Sequence, residues 1–308
     1  MLHITEEEVR RLLPMREAVP LMRQVFESLG RGEARNHPRR RLAHGGGAML
    51  HTLVGSFGDY IGAKVYCSHT RHEPHFLLLL FDARNACPAA VVEANWLGQI
   101  RTGAASGYAT DLLAIPDAKT LAVIGSGFQA RSQLEAMLVV RRFQAVRVWS
   151  RNAEHREKFA RECSEAFEVE IEPADTAERA VRGADVIVTM TNAKEPVLEA
   201  AWVAPHALVN AAGSNNPKRR EIPADLVRNA SLIAIDSIEQ ARAESGDLIL
   251  ALDDAGWHDP KLVELADLAI GKRALGPRTA PVIFKSNGLG VEDVAAAALV
   301  YERVKNHS

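Results

Sequence analysis

From residue 119 onward, short apolar strands alternate with helical segments, and this alternation restricts the fold more than any other feature of the sequence. An apolar strand at 121–124 is followed by a glycine turn and a helical segment. Further buried strands are predicted at 146–149, 185–191, 207–212 and 232–235, with a helix over 153–166. Parallel strands need long crossover connections, which helices usually provide. The pattern predicts an α/β fold with a doubly wound parallel sheet.

The first third of the chain has a different pattern. Thr5 and Glu8 form a capping box before a first helix, and residues 17–30 have apolar side chains at helical spacing. Strand-like segments follow at 48–54, 60–67, 76–81 and 89–93, then a helix of small residues over 94–113. The last predicted helix, 291–304, follows a glycine hinge and is expected to pack on this part. The sequence thus predicts a mixed α+β domain of residues 1–113 plus 288–308, and a parallel-sheet domain of residues 114–287.

Composition excludes several classes of function. The chain has 308 residues, with 37 basic and 39 acidic side chains, so it lacks the basic excess of a nucleic-acid-coating protein. The only dense basic run, 39–41, is short. No window approaches a membrane-spanning length, and no signal sequence is recognised. The three cysteines are widely spaced and form no C-x-x-C pair. We therefore expect a soluble cytoplasmic protein without nucleic-acid or membrane partners.

The glycine turn after the strand at 121–124 reads G-x-G-x-x-A over residues 125–130. Gly125 permits the tight turn, Gly127 lets the backbone approach a pyrophosphate, and the small residue at the third position allows close packing of helix on strand. Backbone N–H groups at the start of the helix then face the phosphate charge. In this context the motif predicts dinucleotide binding, with Gly125, Gly127, Phe128 and Gln129 as contacts.

The end of the second strand of this domain indicates which dinucleotide is preferred. NAD-binding domains usually carry an acidic residue there, which accepts hydrogen bonds from the adenosine ribose. This chain has Ser150, Arg151 and Asn152 instead. Arg151 can pair with a 2′-phosphate, and the two polar neighbours can donate hydrogen bonds to it. NADP(H) is therefore the preferred cofactor, with NAD(H) possible.

Five segments resemble the ornithine cyclodeaminase and mu-crystallin family in their order and composition. They are G-A-K-V at 62–65, Q-I-R-T-G-A at 99–104, V-I-G-S-G-F-Q-A at 123–130, N-A-A-G-S-N at 210–215 and F-K-S-N-G at 284–288. The resemblance covers essentially the whole chain. It implies a homodimer, a Rossmann domain for a nicotinamide cofactor, and a substrate-binding and dimerisation domain built from the first third plus the terminal helix.

The resemblance also implies roles for individual residues. Arg40, Lys64 and Arg101 match the cations that hold the substrate α-carboxylate, and Lys64 and Arg101 are therefore also candidate catalytic residues. Arg40 is chosen from its basic neighbours by an ungapped count from Lys64. Asn287 is expected to face the substrate. The residues expected to contact the cofactor in addition to the glycine motif and residues 150–152 are Thr191, Ala212, Ser214, Asn215, Arg219 and Ser286.

Two departures from the family pattern bear on the reaction. Family cyclodeaminases and alanine dehydrogenases carry an aspartate where Asn215 stands, and cyclodeaminases carry a glutamate where His51 stands. Cyclodeamination needs a base for the δ-amine, which an amide cannot provide. We therefore expect an oxidoreductase that reduces small α-imino acids, such as pyrroline-2-carboxylate or piperideine-2-carboxylate. The alternatives are ornithine cyclodeaminase, which forms proline and ammonia from ornithine, an alanine dehydrogenase-like enzyme, and a crystallin-like protein that binds NADPH and a ligand.

The histidines leave two further questions open. His51 is a candidate proton donor, because imidazole titrates near neutrality, although a structural histidine satisfied by hydrogen bonds explains it equally well. His69, His72 and His75 have the spacing of metal ligands on a helix, but Pro74 and the strand-like run after it disfavour a helix there. We expect no metal site, and a pocket-lining role for His75.

Overall fold

The computed structural model describes residues 1–307, which divide into two compact units. The first unit contains residues 1–101 and the chain from 288 onward, and the second contains residues 102–287. These units are divided at 101/102, inside a helix, and at 287/288. The predicted domains are divided at 113/114 and 287/288 and stay a prediction.

The first unit contains a six-stranded sheet in the order β1-β6-β5-β4-β3-β2. Its strands are β1 Leu2–Ile4, β2 Arg35–His44, β3 Ala48–Phe57, β4 Tyr60–His69, β5 Phe76–Asp82 and β6 Cys87–Glu93. Only the β1–β6 pair is parallel. The helices of this part of the chain are α1 Glu6–Leu12, α2 Met15–Gly30, α3 Asn95–Leu113, which continues into the second unit, and the terminal α11 Gly290–His307. The mixed sheet confirms the expected α+β class, and Thr5 and Glu8 form the predicted capping box.

Strand β2 was not predicted, because it is polar and interrupted. It contains Pro38 and the three consecutive arginines, and its pairing with β3 shifts between His37 and Arg40. Proline is tolerated at a sheet edge or at a bulge, because no ladder hydrogen bond is then lost. As an edge strand, β2 lacks the alternating apolar pattern by which the other long strands were recognised.

The two faces of this sheet differ. Helix α11 packs on one face so closely that a Cβ at Gly55 would lie 2.4 Å from the backbone nitrogen of Val291. The other face exposes a row of large apolar side chains on neighbouring strands: Leu42, Leu50, Ile61, Leu77 and Leu79. We call these five residues the apolar sheet face.

The second unit contains an eight-stranded parallel sheet in the order β13-β12-β14-β11-β10-β7-β8-β9. Its strands are β7 Thr120–Ile124, β8 Ala145–Trp149, β9 Ile171–Pro173, β10 Val186–Thr189, β11 Leu208–Ala211, β12 Leu232–Ile235, β13 Leu262–Glu264 and β14 Val282–Lys285. Its remaining helices are α4 Phe128–Val140, α5 Ala153–Phe167, α6 Ala177–Val181, α7 Ala224–Asn229, α8 Ile238–Glu244, α9 Gly246–Ile249 and α10 Leu265–Ala269. This confirms the predicted doubly wound parallel sheet. The sequence had not indicated β9, β13 or β14.

Chain order reverses between β7 and β10, which are neighbours although β8 and β9 lie between them in sequence. In open α/β sheets, ligands bind beyond the carboxyl ends of the strands at such a point. Within residues 1–307, no helix combines the length and the apolarity needed to cross a bilayer.

Candidate active site

A cavity of about 580 Å³ lies in the second unit beyond the carboxyl ends of β7 and β10. Gly125 has φ +127°, and a Cβ there would lie 2.2 Å from the carbonyl oxygen of Met190, so only glycine fits. A Cβ at Gly127 would meet nothing within 4 Å, which leaves open space beside the turn. Helix α4 begins directly after Gly127. The turn therefore offers backbone donors and room for a pyrophosphate, and the cavity fits a dinucleotide.

Most of the predicted cofactor contacts line this cavity. They are Gly125, Gly127, Phe128, Gln129, Ser150, Arg151, Asn152 and Thr191. The cavity is also lined by Gly213 of the family segment 210–215, and by Trp149, His155 and Asn192, which the sequence analysis had not selected. Five predicted contacts do not belong to its lining: Ala212, Ser214, Asn215, Arg219 and Ser286. For these five, cofactor contact stays a prediction from the family resemblance.

The end of β8 arranges the three polar residues that were predicted to select the cofactor. Ser126 Oγ donates to Ser150 Oγ at 2.9 Å, which ties this segment to the glycine turn. Asn152 caps α5, because its Oδ1 accepts the backbone N–H of His155 at 2.9 Å. Arg151 is exposed beside the cavity. Residues 150–152 thus present one guanidinium and no carboxylate.

A buried carboxylate, Glu221, organises the loops that border the cavity. It accepts hydrogen bonds from Thr189 Oγ1 at 3.1 Å, from the N–H of Thr191 at 2.6 Å and from the N–H of Gly213 at 2.7 Å. A Cβ at Gly213 would lie 2.4 Å from Glu221 Oε1, so only a glycine at this position lets the loop lie this close to Glu221. Burial and the nearby Asp247 raise the pKa of Glu221. Both Thr191 and Gly213 line the cavity, so Glu221 fixes two parts of its wall.

Lys285 compensates this buried negative charge. Its Nζ lies 2.9 Å from Asp247 Oδ2 and donates to the carbonyl oxygens of Ala211 at 3.1 Å and Ser214 at 2.7 Å. Two carbonyl oxygens thus accept hydrogen bonds from this ammonium, and one carboxylate oxygen forms an ion pair with it. The sequence analysis missed Glu221 and Asp247 and gave Lys285 no role, since nothing in the local pattern shows that these three residues meet.

Asn287, predicted to face the substrate, is held by an aspartate. Its N–H and its Nδ2 both donate to the carboxylate of Asp236, at 2.5 Å and 3.2 Å. Both residues are buried in the second unit. The paired hydrogen bonds fix the orientation of the Asn287 amide.

In the first unit, Lys64 and Arg101 lie side by side on a pair of buried acids. Lys64 Nζ is 2.6 Å and Arg101 Nε is 2.9 Å from the same oxygen, Oδ1 of Asp293. Arg101 Nη1 donates to Glu292 Oε2 at 2.7 Å. All four residues are at most 6% exposed. The sequence analysis missed the two acids, although two carboxylates in the first turn of an otherwise apolar helix are a recognisable signal.

The two cations differ in how firmly they hold their charge. Burial, together with the charge of Arg101, lowers the pKa of Lys64 to about 7, and Asp293 acts in the opposite direction. Burial also acts against the charged form of Arg101, but Asp293 and Glu292 outweigh it and raise its pKa. Near neutral pH, Arg101 is a permanent cation and Lys64 is poised between its charged and neutral forms.

Arg39 lies beside Lys64 and Arg101, which corrects the prediction of Arg40. In β2, Arg40 stands opposite Thr52 of β3, on the face of the sheet that points away from Lys64. It is exposed. Arg39 donates to Tyr66 Oη at 3.1 Å and to the carbonyl oxygen of Gly288 at 3.4 Å, and its charge lowers the pKa of Lys64. The ungapped count failed because the bulge before Arg40 changes which residues share a face.

The ring of His51 is held by stacking and by one hydrogen-bond contact. Its ring stacks on that of Tyr66 with centroids 4.3 Å apart, and Nε2 lies 2.8 Å from Ser68 Oγ. Burial, together with the charges of Arg41 and Arg39, lowers its pKa to about 4. The ring is therefore neutral near pH 7. This contradicts the premise of the proton-donor prediction, which was that the imidazole titrates near neutrality.

The histidine-rich loop after β4 does not form a cluster of metal ligands. The rings of His69 and His72 lie 4.7 Å apart, and His75 is exposed. Across residues 1–307, no three histidine, cysteine or acidic side chains come together in a way that could hold a metal ion.

Comparison with known proteins identifies the family of this chain. The sequence profile of the ornithine cyclodeaminase/mu-crystallin family matches residues 2–308. The chain belongs to this family. The ketimine reductase mu-crystallin of Mus musculus is 39% identical over 226 residues, which are 73% of this chain and 68% of that protein. The expectation of an oxidoreductase of this family is thereby confirmed.

Solved structures of similar proteins agree with the fold. The Δ1-pyrroline-2-carboxylate reductase of Thermococcus litoralis, in complex with NADH and L-proline, has a TM-score of 0.92 and 29% identity, covering 100% of this chain and 98% of its own. An archaeal alanine dehydrogenase dimer with bound NAD has a TM-score of 0.90 and 29% identity, covering 100% and 97%. These neighbours support a nicotinamide cofactor for the cavity in the second unit.

Proposed function

We propose that this protein reduces small α-imino acids, such as pyrroline-2-carboxylate or piperideine-2-carboxylate, with a reduced nicotinamide cofactor. The observation that carries the proposal is that Lys64 and Arg101 are buried but have unused donors. Among residues 1–307, Lys64 Nζ makes one of its three possible hydrogen bonds, and Arg101 makes two of its five. Buried donors without acceptors are costly. A carboxylate is the acceptor that suits an ammonium beside a guanidinium.

The roles of the residues follow from this arrangement. Lys64 and Arg101 bind the α-carboxylate of the substrate, and Arg39 adds a third positive charge near them. Holding the carboxylate fixes the position of the adjacent imine carbon, and such orientation contributes up to about 7–11 kcal/mol in ideal cases. The bound reduced nicotinamide supplies the hydride. A preformed cyclic imine needs no base for ring closure. Its reduction is therefore compatible with Asn215, whose amide cannot act as a base.

We propose NADP(H) as the preferred cofactor. Arg151 lines the cavity, and residues 150–152 contain no carboxylate that would repel a 2′-phosphate. A guanidinium makes charge-assisted hydrogen bonds to phosphate. Because the solved neighbours contain NADH or NAD, each assay compares NADP(H) with NAD(H).

We propose further that the protein is a homodimer formed through the apolar sheet face. Its five large side chains are between 39% and 69% exposed in the single chain. A contiguous apolar patch of this kind marks an interaction surface, and an isologous dimer would bury both copies of it at once. Sedimentation velocity would show a dimer for the wild type and a monomer for Leu79→Lys.

An absorbance assay at the nicotinamide band tests the reaction. Pyrroline-2-carboxylate, piperideine-2-carboxylate and linear imino acids are each supplied with NADPH and, separately, with NADH. We expect turnover of a cyclic imine, and faster with NADPH. A parallel incubation supplies ornithine with catalytic NAD⁺. If it gave proline and ammonia without net cofactor reduction, the protein would be a cyclodeaminase and the proposal would be wrong.

A further inference from the structure

One carboxylate oxygen joins the two substrate-binding cations of the proposed function. Asp293 Oδ1 lies 2.6 Å from Lys64 Nζ and 2.9 Å from Arg101 Nε, and the Asp293 side chain is fully buried. Two like charges this close repel each other, and more strongly in a buried site than in water. Asp293 opposes that repulsion and fixes both side chains through a single atom.

Glu292 provides a natural contrast to Asp293. It is the preceding residue of the same helix and is equally buried, and it pairs with Arg101 Nη1 at 2.7 Å. Asp293 raises the pKa of Lys64 and contacts its Nζ directly, whereas the ion pair of Glu292 is with Arg101. The two acids thus carry the same charge on one helix turn, but only Asp293 bridges the cations.

We propose that Asp293 is a positioning residue that holds Lys64 and Arg101 together, with Lys64 in its charged form, so that the pair binds the substrate carboxylate. The inference rests on the proposed function, and it assigns no direct contact with the substrate to Asp293. It explains why a buried acid lies where an anion is expected to bind. Without it, burial and the charge of Arg101 would favour neutral Lys64, which presents a weaker donor to a carboxylate.

The groups that act on Lys64 come from each element packed around it. Arg101 of α3 and Arg39 of β2 lower the pKa of Lys64, whereas Asp293 of α11 raises it. His51 of β3 lies on the same face but is neutral near pH 7. A bound carboxylate adds negative charge and therefore raises the pKa of Lys64. Carboxylate binding should accordingly take up protons near pH 7 and weaken as the pH rises above it.

Asp293→Asn and Glu292→Gln each remove one buried negative charge while keeping the side-chain shape, so they form a matched pair. The ligand is cyclopentanecarboxylate, whose charge is constant from about pH 6 to about pH 9. Its inhibition constant against imine reduction is measured across that range. In parallel, the ¹⁵Nζ signal of Lys64, assigned with Lys64→Arg, is titrated by NMR with and without the ligand. The NMR titration does not require turnover.

For the wild type we expect the ligand to raise the Lys64 midpoint and its affinity to fall above about pH 7. Asp293→Asn should lower that midpoint by at least about one unit and weaken carboxylate binding about tenfold at pH 7.5, since one pKa unit corresponds to a factor of ten. Glu292→Gln should change the midpoint by less than about a third of a unit. Equal changes in the two variants, or a wild-type Lys64 midpoint that the ligand leaves in place, would overturn the inference.

Failure of the proposed function would look different. In that case the wild type would neither reduce any imine of the panel nor respond to the carboxylate in the Lys64 signal. If instead the wild type reduces imines and binds the carboxylate but the two variants behave alike, the function stands and Asp293 has no special role. Should Asp293→Asn fail to fold, the wild-type NMR titration still decides whether Lys64 takes up a proton on binding.

Discussion

The two buried ionic clusters of this protein contain the same kinds of side chain but differ in how their donors are used. In the second unit, the Lys285 cluster consists of Lys285, Asp247 and Glu221. In the first unit, the Lys64 cluster consists of Lys64, Arg101, Glu292 and Asp293. Lys285 Nζ donates two hydrogen bonds and forms an ion pair with a third oxygen, Asp247 Oδ2. Lys64 has one within residues 1–307.

This difference separates a structural cluster from a binding cluster. When the cation of a buried network has an oxygen neighbour for each of its donors, removing that cation leaves buried charges without compensation, so the network supports folding. A network with donors left over is complete only when an external acceptor arrives. Burial and charge alone do not distinguish the two cases, whereas counting donors against acceptors does.

The largest expected effect is on stability, and it belongs to the Lys285 cluster. Lys285→Met leaves Asp247 and Glu221 buried without a cation, which should cost about 3–5 kcal/mol of unfolding free energy. Lys64→Met should cost clearly less, because Asp293 keeps Arg101 as its partner. Chemical denaturation of both variants measures this, with the exposed Lys218→Met as a control. If both buried variants lost the same stability, the number of oxygen neighbours of each lysine would not separate a structural cluster from a binding cluster.

The next largest effect is on turnover, and it belongs to the Lys64 cluster. Arg101→Lys keeps the charge but cannot reach Asp293, Glu292 and a substrate carboxylate together, because an ammonium lacks the planar fork. We expect kcat/KM for the cyclic imine to fall at least about a hundredfold, which corresponds to about 2.7 kcal/mol. Steady-state kinetics measures it, with Arg141→Lys, which alters an ion pair to Asp111 in the second unit, as the control. Near-wild-type kcat/KM would remove Arg101 from carboxylate binding.

The sequence was informative where function depends on local backbone. Gly125 and Gly127 could be assigned because a tight turn between strand and helix has a fixed spacing, and the strand β7 before it is apolar throughout. The same holds for residues 150–152 at the end of the next strand. The parallel sheet followed from the alternation of elements, which also depends only on residues near one another in the chain.

The sequence was uninformative where function depends on which distant residues meet. Lys64 and Asp293 are 229 positions apart, and their contact depends on the close approach of α11 to the sheet. Arg40 was chosen in place of Arg39 because a bulge in an edge strand has no clear signature in a run of arginines. A residue type and a spacing indicate what chemistry is available, but the sheet register decides which face carries it.

Arg151 extends the comparison to an exposed cation of the second unit. It lines the cofactor cavity and has no hydrogen-bond partner within residues 1–307. If unused donors mark a ligand site here too, Arg151→Ala should weaken NADPH binding about tenfold, because hydrogen bonds to charged groups contribute about 1.5–3 kcal/mol. NADH binding should be unchanged. Fluorescence titration with both cofactors measures this, and Arg161→Ala on the exposed side of α5 is the control. An equal loss for both cofactors would show that Arg151 does not recognise the 2′-phosphate.

The smallest expected effect concerns the edge of the Lys64 cluster, where Arg39 and Arg40 are adjacent in sequence but lie on opposite faces of the sheet. Arg39→Leu should raise the KM for the imine about fivefold, since a partly exposed charge near an anion contributes up to about 1 kcal/mol. Arg40→Leu should leave KM unchanged, because the side chain points away from Lys64. The pair is its own control, as each variant removes one charge from the same strand. A larger effect for Arg40 would mean that the register of β2 differs from the one described, and the Lys64 cluster would then have a different third cation.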